Sequence, residues 1–274
     1  MGIKQVIKKC ISADMMDSYI RFIQCLPFST SSKRNWRERR ELFANRERAG
    51  IADIPIFLVS FNRLSYLKTT IERLESMGKT NLIIIDNAST YPPLLQYYQQ
   101  IPYKVIYMDQ NYGHKVFWEQ SIFDEYRKDF YILSDPDVIP AAHCPEDFVE
   151  KMFYTLKKYP NIRKVGFSLK IDDFPVNGAF GPSVINWEKQ FYEHKIKKDN
   201  VYVAALDTTF ALYLPDQVVN EKISFYTAMR TGYPYEAKHL PWYRIMGDIT
   251  EEDEYYTNTT ILSGWDVSNH KTSQ

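Results

Sequence analysis

The sequence predicts an α/β fold in which a mostly parallel central sheet carries helices on both faces, behind a helical N-terminal extension. Three observations predict it. Apolar runs rich in β-branched and aromatic residues recur at 55–63, 81–89, 103–111 and 130–138. Stretches with helical spacing separate them, the alternation expected of strands joined by crossover helices. Each run ends in polar side chains, and in open α/β sheets ligands sit beyond the carboxyl ends of the strands.

In chain order, residues 1–28 show apolar positions near helical spacing, with Lys4, Lys8 and Lys9 among them, up to Pro27. One reading is an amphipathic helix lying on an anionic membrane surface. The other is a helix packed on the main domain or on a second subunit. The absence of Trp and the interruptions at Asp14 and Asp17 favour the second. Residues 29–35 read as a linker and 36–48 as a charged helix. PIFLVSFNR (55–63) reads as a buried strand, and Leu64 to Met77 as a helix that Gly78 closes. NLIIIDNAS (81–89) is a second strand, followed by a turn and short helix from Pro92, and YKVIYMDQN (103–111) is a third. A helix over 115–126 and a fourth strand, FYILSDPDV (130–138), follow. Beyond residue 140 the pattern predicts a helix over 148–159, a strand over 165–171, a loop at 175–182, and one long strand or a hairpin pair over 201–215. These elements group as a basic extension over 1–50, a main domain over 51–245 and an acidic tail over 246–274.

Composition bounds the function. Lys plus Arg equals Asp plus Glu, 34 against 34, which argues against a generic polyanion binder and against nucleic acid as a partner. The charge is nonetheless uneven: residues 1–50 carry 11 basic and 5 acidic residues, while 245–274 carry one Lys and 6 acids. Such ends are interaction surfaces or attract each other. Cys10, Cys25 and Cys144 have no metal-ligand spacing and read as reduced thiols. No apolar run approaches the roughly 18 residues of a membrane helix, and no secretory signal is evident. The expected location is cytoplasmic, with peripheral membrane contact through residues 1–28 as the variant reading. With 10 glycines and neither GxGxxG nor GKT/GKS, dinucleotide and P-loop sites are disfavoured.

The most pointed motif is Asp135-Pro136-Asp137 at the end of the fourth strand. In extended backbone, residues i and i+2 face the same side, and Pro136 biases Asp135 towards extension. Two carboxylates held close repel, and a divalent cation relieves the repulsion. Mg²⁺ takes one or two carboxylates together with substrate phosphate oxygens. The plainer alternative is a turn whose Asp caps the following helix. Asp207 stands alone in an apolar stretch, so it needs either a catalytic task or a hydrogen-bond partner such as Thr208, Thr209 or backbone amides. Glu236 is the second candidate base and Asp172-Asp173 the third.

SFNR (60–63), IIIDNAS (83–89), DQNYG (109–113) and SDPD (134–137), in this order after successive strands, resemble the nucleotide-sugar glycosyltransferases of the Rossmann-like GT-A fold, above all the large inverting family two of bacterial polysaccharide synthases. DTTFALY (207–213) and HLPWY (239–243) are similar to the later half of a bacterial branch. The resemblance implies transfer of a sugar, with inversion, from a UDP-sugar or related donor to a glycan or lipid-linked acceptor in surface polysaccharide synthesis, assisted by Mn²⁺ or Mg²⁺. It implies that Ser60, Asn62 and Arg63 line the nucleotide pocket and that Asp86 accepts hydrogen bonds from the base. Asn111, with Gly113 allowing close approach, would sit near ribose or diphosphate. Asp135 and Asp137 would form the metal-binding pair and His239 would complete the metal shell, unless His239 serves only an aromatic cluster with Trp242 and Tyr243. The resemblance implies a base in an acidic pair on a helix after the acceptor strand, shortly before His239, and no clear Glu-Asp pair stands there, so the base does not follow from the resemblance. Trp118, Trp187, Tyr192 and Trp242 are candidate sugar-stacking rings or core residues. Two rivals remain: a haloacid-dehalogenase-like phosphohydrolase using Asp135 and Asp137, and a non-catalytic nucleotide-sugar binder.

Overall fold

The computed structural model describes residues 33–176, 178, 181–207, 209–215, 227–245 and 247–260. The expectations for residues 1–28, for most of the linker and for 261–274 lie outside the described residues. Helix α1 (Lys33–Ala49) begins inside the predicted linker, because Lys33 to Trp36 contains neither Gly nor Pro to stop it.

Strands β1 (Ile56–Ser60), β2 (Leu82–Asp86), β3 (Lys104–Tyr107) and β4 (Tyr131–Ser134) form a parallel unit in the order β3-β2-β1-β4. Register pairs Ser60 with Asp86 and Leu58 with Ser134, which brings the polar strand ends to one edge. The sheet continues through β9 (Ala211–Tyr213), β6 (Lys164–Leu169), β10 (Ala228–His239), β8 (Val201–Val203) and β7 (Lys195–Ile196), while β5 (Val138–Pro140) pairs with β10. Strands β5, β8 and β9 run against the common direction. The sheet is therefore mixed and mostly parallel in direction, as predicted.

Both faces are covered, which explains the unbroken apolar runs. Ile56 and Leu58 pack in a layer with Leu67, Ile71 and Leu74 of α2 (Leu64–Ser76), Leu94 of α3 (Pro92–Tyr98) and Phe148 and Met152 of α5 (Phe148–Lys158). Phe57 and Val59 point the other way, towards Phe117, Phe123, Tyr131 and Tyr213. That second layer corrects the helix predicted over 115–126. The chain forms only α4 (Val116–Glu119), with short 3-10 turns around it, and Gln120 is extended. Phe117 and Phe123 are both buried, and the Arg127 guanidinium donates to the carbonyls of Phe117 and Gln120 that a continuous helix would pair internally.

The prediction of one strand or a hairpin over 201–215 is also corrected. β8 pairs with β10 and β7, whereas β9 lies between β4 and β6. The connecting residues cross over Gly166, where an added Cβ would lie 2.5 Å from the Phe210 carbonyl oxygen and 2.6 Å from Leu206 Cδ2. Gly166→Ala is expected to cost about 1–3 kcal/mol by overpacking, measurable by urea denaturation. Helix α6 (Gly181–Glu188) begins inside the loop predicted at 175–182.

The acidic segment contains α7 (Glu251–Thr259), which starts with a Thr250/Asp253 capping box. The Glu252 carboxylate accepts from the amides of Leu64 (3.0 Å) and Ser65 (2.9 Å) and from the Ser65 hydroxyl (2.6 Å). It thus caps α2, whose own N-cap residue Arg63 supplies no side-chain cap. The acids of α7 are therefore matched to the main domain, while α1 pairs through Arg46 with Asp129 and through Glu47 with Lys157. Among the described residues, no helix is long and apolar enough to cross a membrane.

Candidate active site

A cleft of about 500 Å³ opens at the carboxyl ends of the parallel strands. Of the predicted residues, Arg63, Asn111, Gly113 and Asp135 line it, and so do Asp137, Asp207 and His239. A depression of about 790 Å³ lies along α1 and holds none of them.

The Asp135-Pro136-Asp137 segment is a turn between β4 and β5, not extended strand. Its shape is held from three sides. Thr70 Oγ1 donates to the Pro136 carbonyl at 2.7 Å, Ser134 Oγ to that of Asp135 at 2.8 Å, and the Leu240 amide to that of Asp137 at 2.8 Å. Antiparallel pairing sets His239 opposite Val138, so the end of β10 meets the turn.

The side chains of Asp137 and His239 face each other, with His239 Nε2 3.5 Å from Asp137 Oδ2. Burial holds the His239 imidazole below its ordinary pKa, although Asp137 pulls it upwards, so the ring is neutral near pH 7. Its ring also packs on Trp242, with centroids 4.6 Å apart.

Two buried atoms here, Asp137 Oδ1 and His239 Nδ1, have no hydrogen-bond partner among the described residues. A buried polar atom in that state calls for an explanation, and a bound water or ion is one. A carboxylate and a neutral imidazole suit Mn²⁺ better than Mg²⁺. No group of three or more acidic, His or Cys side chains among the described residues is arranged to hold an ion by itself. Asp137 and His239, with Asp135 beside them, therefore fit a cation whose remaining positions are filled by phosphate oxygens and water.

Other predicted residues take supporting positions. Ser60 is buried at the end of β1. Asn62, also buried and with a left-handed φ of 48°, accepts through Oδ1 from the amides of Thr90 (2.7 Å) and Tyr91 (2.9 Å). Its Nδ2 donates to Thr259 Oγ1, tying α7 to the loop after β1. Asp86 turns away from the cleft and accepts from Tyr98 OH (3.0 Å) and the Ser89 amide (3.2 Å). Burial raises its carboxyl above the usual range, and these hydrogen bonds pull it back. Its neighbour Asn87 lines the cleft instead, donating to Asn111 Oδ1 (2.8 Å) and the Gly113 carbonyl (3.0 Å). Sequence reading placed Asn87 at the strand end but gave it no task.

The candidate bases separate. Asp207 is exposed at the cleft in a segment outside any strand, so the burial expected for it does not occur. Glu236 does not line the cleft. Its carboxylate lies 3.3 Å from His143 Nε2. Asp172 and Asp173 pair with Lys170 and Lys238.

Three charged residues of the cleft, Glu188, Arg230 and Arg244, were not singled out from sequence. Arg244 and Arg63 share the carboxylate of Asp253, and Arg63 lies over the Tyr256 ring at 4.0 Å. Burial alone would raise the Asp253 carboxyl, but bonds from Thr250 and Arg63 hold it below the usual range. Glu188 and Arg230 form an ion pair at 2.7 Å with both side chains 4% exposed, and Arg230 stacks on Phe191 at 3.9 Å. Arg230, between Met229 and Thr231, carried a readable signal: a lone charge in the part of β10 that precedes Gly232. Arg244 carried none. Trp187 lies half-exposed on the same wall.

No family model and no curated protein matches the sequence. Among solved structures, the chain is similar to GalNAc-T7 crystallised with UDP, GalNAc and Mn²⁺, at 15% identity and a TM-score of 0.44, over 70% of this chain and 44% of that one. It is also similar to glucosyl-3-phosphoglycerate synthase from Mycobacterium tuberculosis in complex with phosphoglyceric acid, at 13% identity and a TM-score of 0.34, over 59% of this chain and 56% of that one. The chain thus spans about half the length of each.

Proposed function

We propose that this chain is a GT-A-type, metal-dependent inverting glycosyltransferase, moving a sugar from a nucleoside diphosphate donor, UDP-linked in the first instance, to a hydroxyl of a glycan or lipid-linked acceptor. The observation that carries the reading is the Asp137–His239 pair. The two side chains face each other at 3.5 Å, each has a buried polar atom without a hydrogen-bond partner among the described residues, and both lie in a cleft at the ends of parallel strands. A divalent cation held by Asp137 and His239 would supply positive charge against the negative charge that builds on a departing diphosphate.

The chain's own residues divide the remaining work. Arg63 and Arg244, which share Asp253, line the cleft near Tyr256, where their remaining N–H groups would meet phosphate oxygens. Asn87 and Asn111 form the wall against the nucleoside. Asp207 takes the proton of the acceptor hydroxyl as that oxygen bonds to the anomeric carbon, and the bond from that carbon to the diphosphate oxygen breaks on the opposite face. The exposed ring of Trp187 offers a stacking surface for a sugar. Surface polysaccharide synthesis is the setting proposed for the reaction, at the cytoplasmic side of a membrane.

A panel of nucleotide sugars with Mn²⁺, read by release of free nucleoside diphosphate, tests the proposal. Turnover of one or more donors that stops on chelation is the expected result. Hydrolysis of p-nitrophenyl phosphate lost in Asp135→Asn, with no donor turned over, favours the phosphohydrolase reading. UDP binding without any turnover favours a non-catalytic binder.

A further inference from the structure

Asp207 sits in a stretch that leaves β8 and reaches β9. Two of its backbone carbonyls are taken by cations from beneath. Arg230 Nε donates to the Ala205 carbonyl at 2.8 Å, and Lys164 Nζ donates to the Asp207 carbonyl at 3.3 Å. Both side chains belong to buried residues of the sheet. Arg230 has Glu188 as its counter-ion. Lys164 has no ion-pair partner among the described residues. Its ammonium lies 5.3 Å over the Tyr213 ring, whose hydroxyl also lacks a partner among the described residues.

A buried ammonium with no carboxylate at ion-pair distance among the described residues, and only the longer-range pull of Asp207, is costly, and an apolar side chain of similar length would suit the same space better. Such a group persists where the site uses it. We propose that Lys164 is a positioning residue: by holding the Asp207 carbonyl it fixes where the Asp207 carboxylate stands at the cleft. This role rests on the reading of Asp207 as the base.

Burial pushes the Lys164 ammonium down to about 7, with Asp207 pulling it up and Arg230 pushing it further down. Among the described residues, these two and Tyr213 are the charged or titratable groups that act on it. The folded value lies below that of an unfolded Lys, so the unfolded chain binds more protons between about pH 7 and pH 10. Stability therefore rises with pH across that window, and the destabilisation by the buried charge is fully present below pH 7. In turnover the sign is opposite, because a charged donor holds a carbonyl more firmly than a neutral amine.

The test compares the full-length wild type with Lys164→Met and Lys164→Gln, in thermal unfolding at pH 6 and pH 9, in calorimetric UDP binding with Mn²⁺, and in donor turnover. Lys164→Met is expected to unfold at a temperature equal to or above that of the wild type at pH 6. It should bind UDP and show a donor KM within about twofold of the wild type, yet lose about 10- to 100-fold in kcat, the scale of a small misplacement of a reacting group. Lys164→Gln, which keeps an N–H donor, should recover part of kcat. An unchanged kcat in folded Lys164→Met overturns the role, as does a kcat loss that travels with a lowered unfolding temperature. A wild type that binds no UDP and turns over no donor brings down the functional reading itself, which the unfolding data do not depend on.

Discussion

Asp137→Asn is expected to lower Mn²⁺-dependent release of nucleoside diphosphate by about 10²- to 10³-fold or more, while the fold stays intact. The substitution removes a carboxylate that faces His239 at 3.5 Å and whose Oδ1 is buried without a partner among the described residues. On the proposed function, a cation held there would contribute several kcal/mol of charge stabilisation in the transition state, and each 1.4 kcal/mol is about tenfold in rate. The turn itself should survive, because Thr70, Ser134 and the Leu240 amide hold it by backbone carbonyls and not by the Asp137 carboxylate. Steady-state kinetics across a Mn²⁺ titration checks the expectation. Asn retains one carbonyl ligand, so excess metal should restore a fraction of the activity; a rate independent of metal in both proteins would remove the metal from the account.

Arg230→Met is the largest expected effect on stability. It leaves Glu188 as a buried carboxylate without its cation, and removing one partner of such a pair costs about 3–5 kcal/mol. The pH dependence follows from the direction of the Glu188 shift. Burial already raises its carboxyl above the usual value, with Arg230 pulling it back. Without Arg230 the folded value rises further, so folding favours the protonated form and stability falls as pH rises from the unfolded value through the folded one. The deficit of Arg230→Met should therefore be smaller near pH 5 than near pH 8. The double substitution Glu188→Met with Arg230→Met should recover much of the loss, since an apolar pair of similar volume is tolerated where half of an ion pair is not. Urea denaturation of the four proteins as a double-mutant cycle gives the coupling directly.

The parallel half of the fold was legible because its strands are buried on both faces. Runs such as LIIID at 82–86 leave little choice of structure, and their polar ends mark the edge where the cleft forms. The region after residue 200 was not. Val201–Val203 and Ala211–Tyr213 look like one apolar stretch, and nothing local says that β6 and β10 separate them in the sheet. The same limit hid the true setting of Asp207, whose apolar neighbours suggested burial although its own side chain is exposed. Asp137 and His239 were readable as candidates because each lies in a recognisable motif. Their contact depends on β5 pairing with β10, about a hundred residues away in sequence, which no local pattern encodes. Asp86 shows the reverse case: its strand-end position was read correctly, but the direction of its side chain depends on Tyr98.

The most direct measurement is an anomalous difference map from crystals grown with Mn²⁺ and UDP. The account predicts a manganese peak within coordination distance of Asp137 and His239, with diphosphate oxygens on its open side and the nucleoside against Asn87 and Asn111. A peak elsewhere on the molecule, or UDP bound in this cleft with no metal beside Asp137, would contradict it.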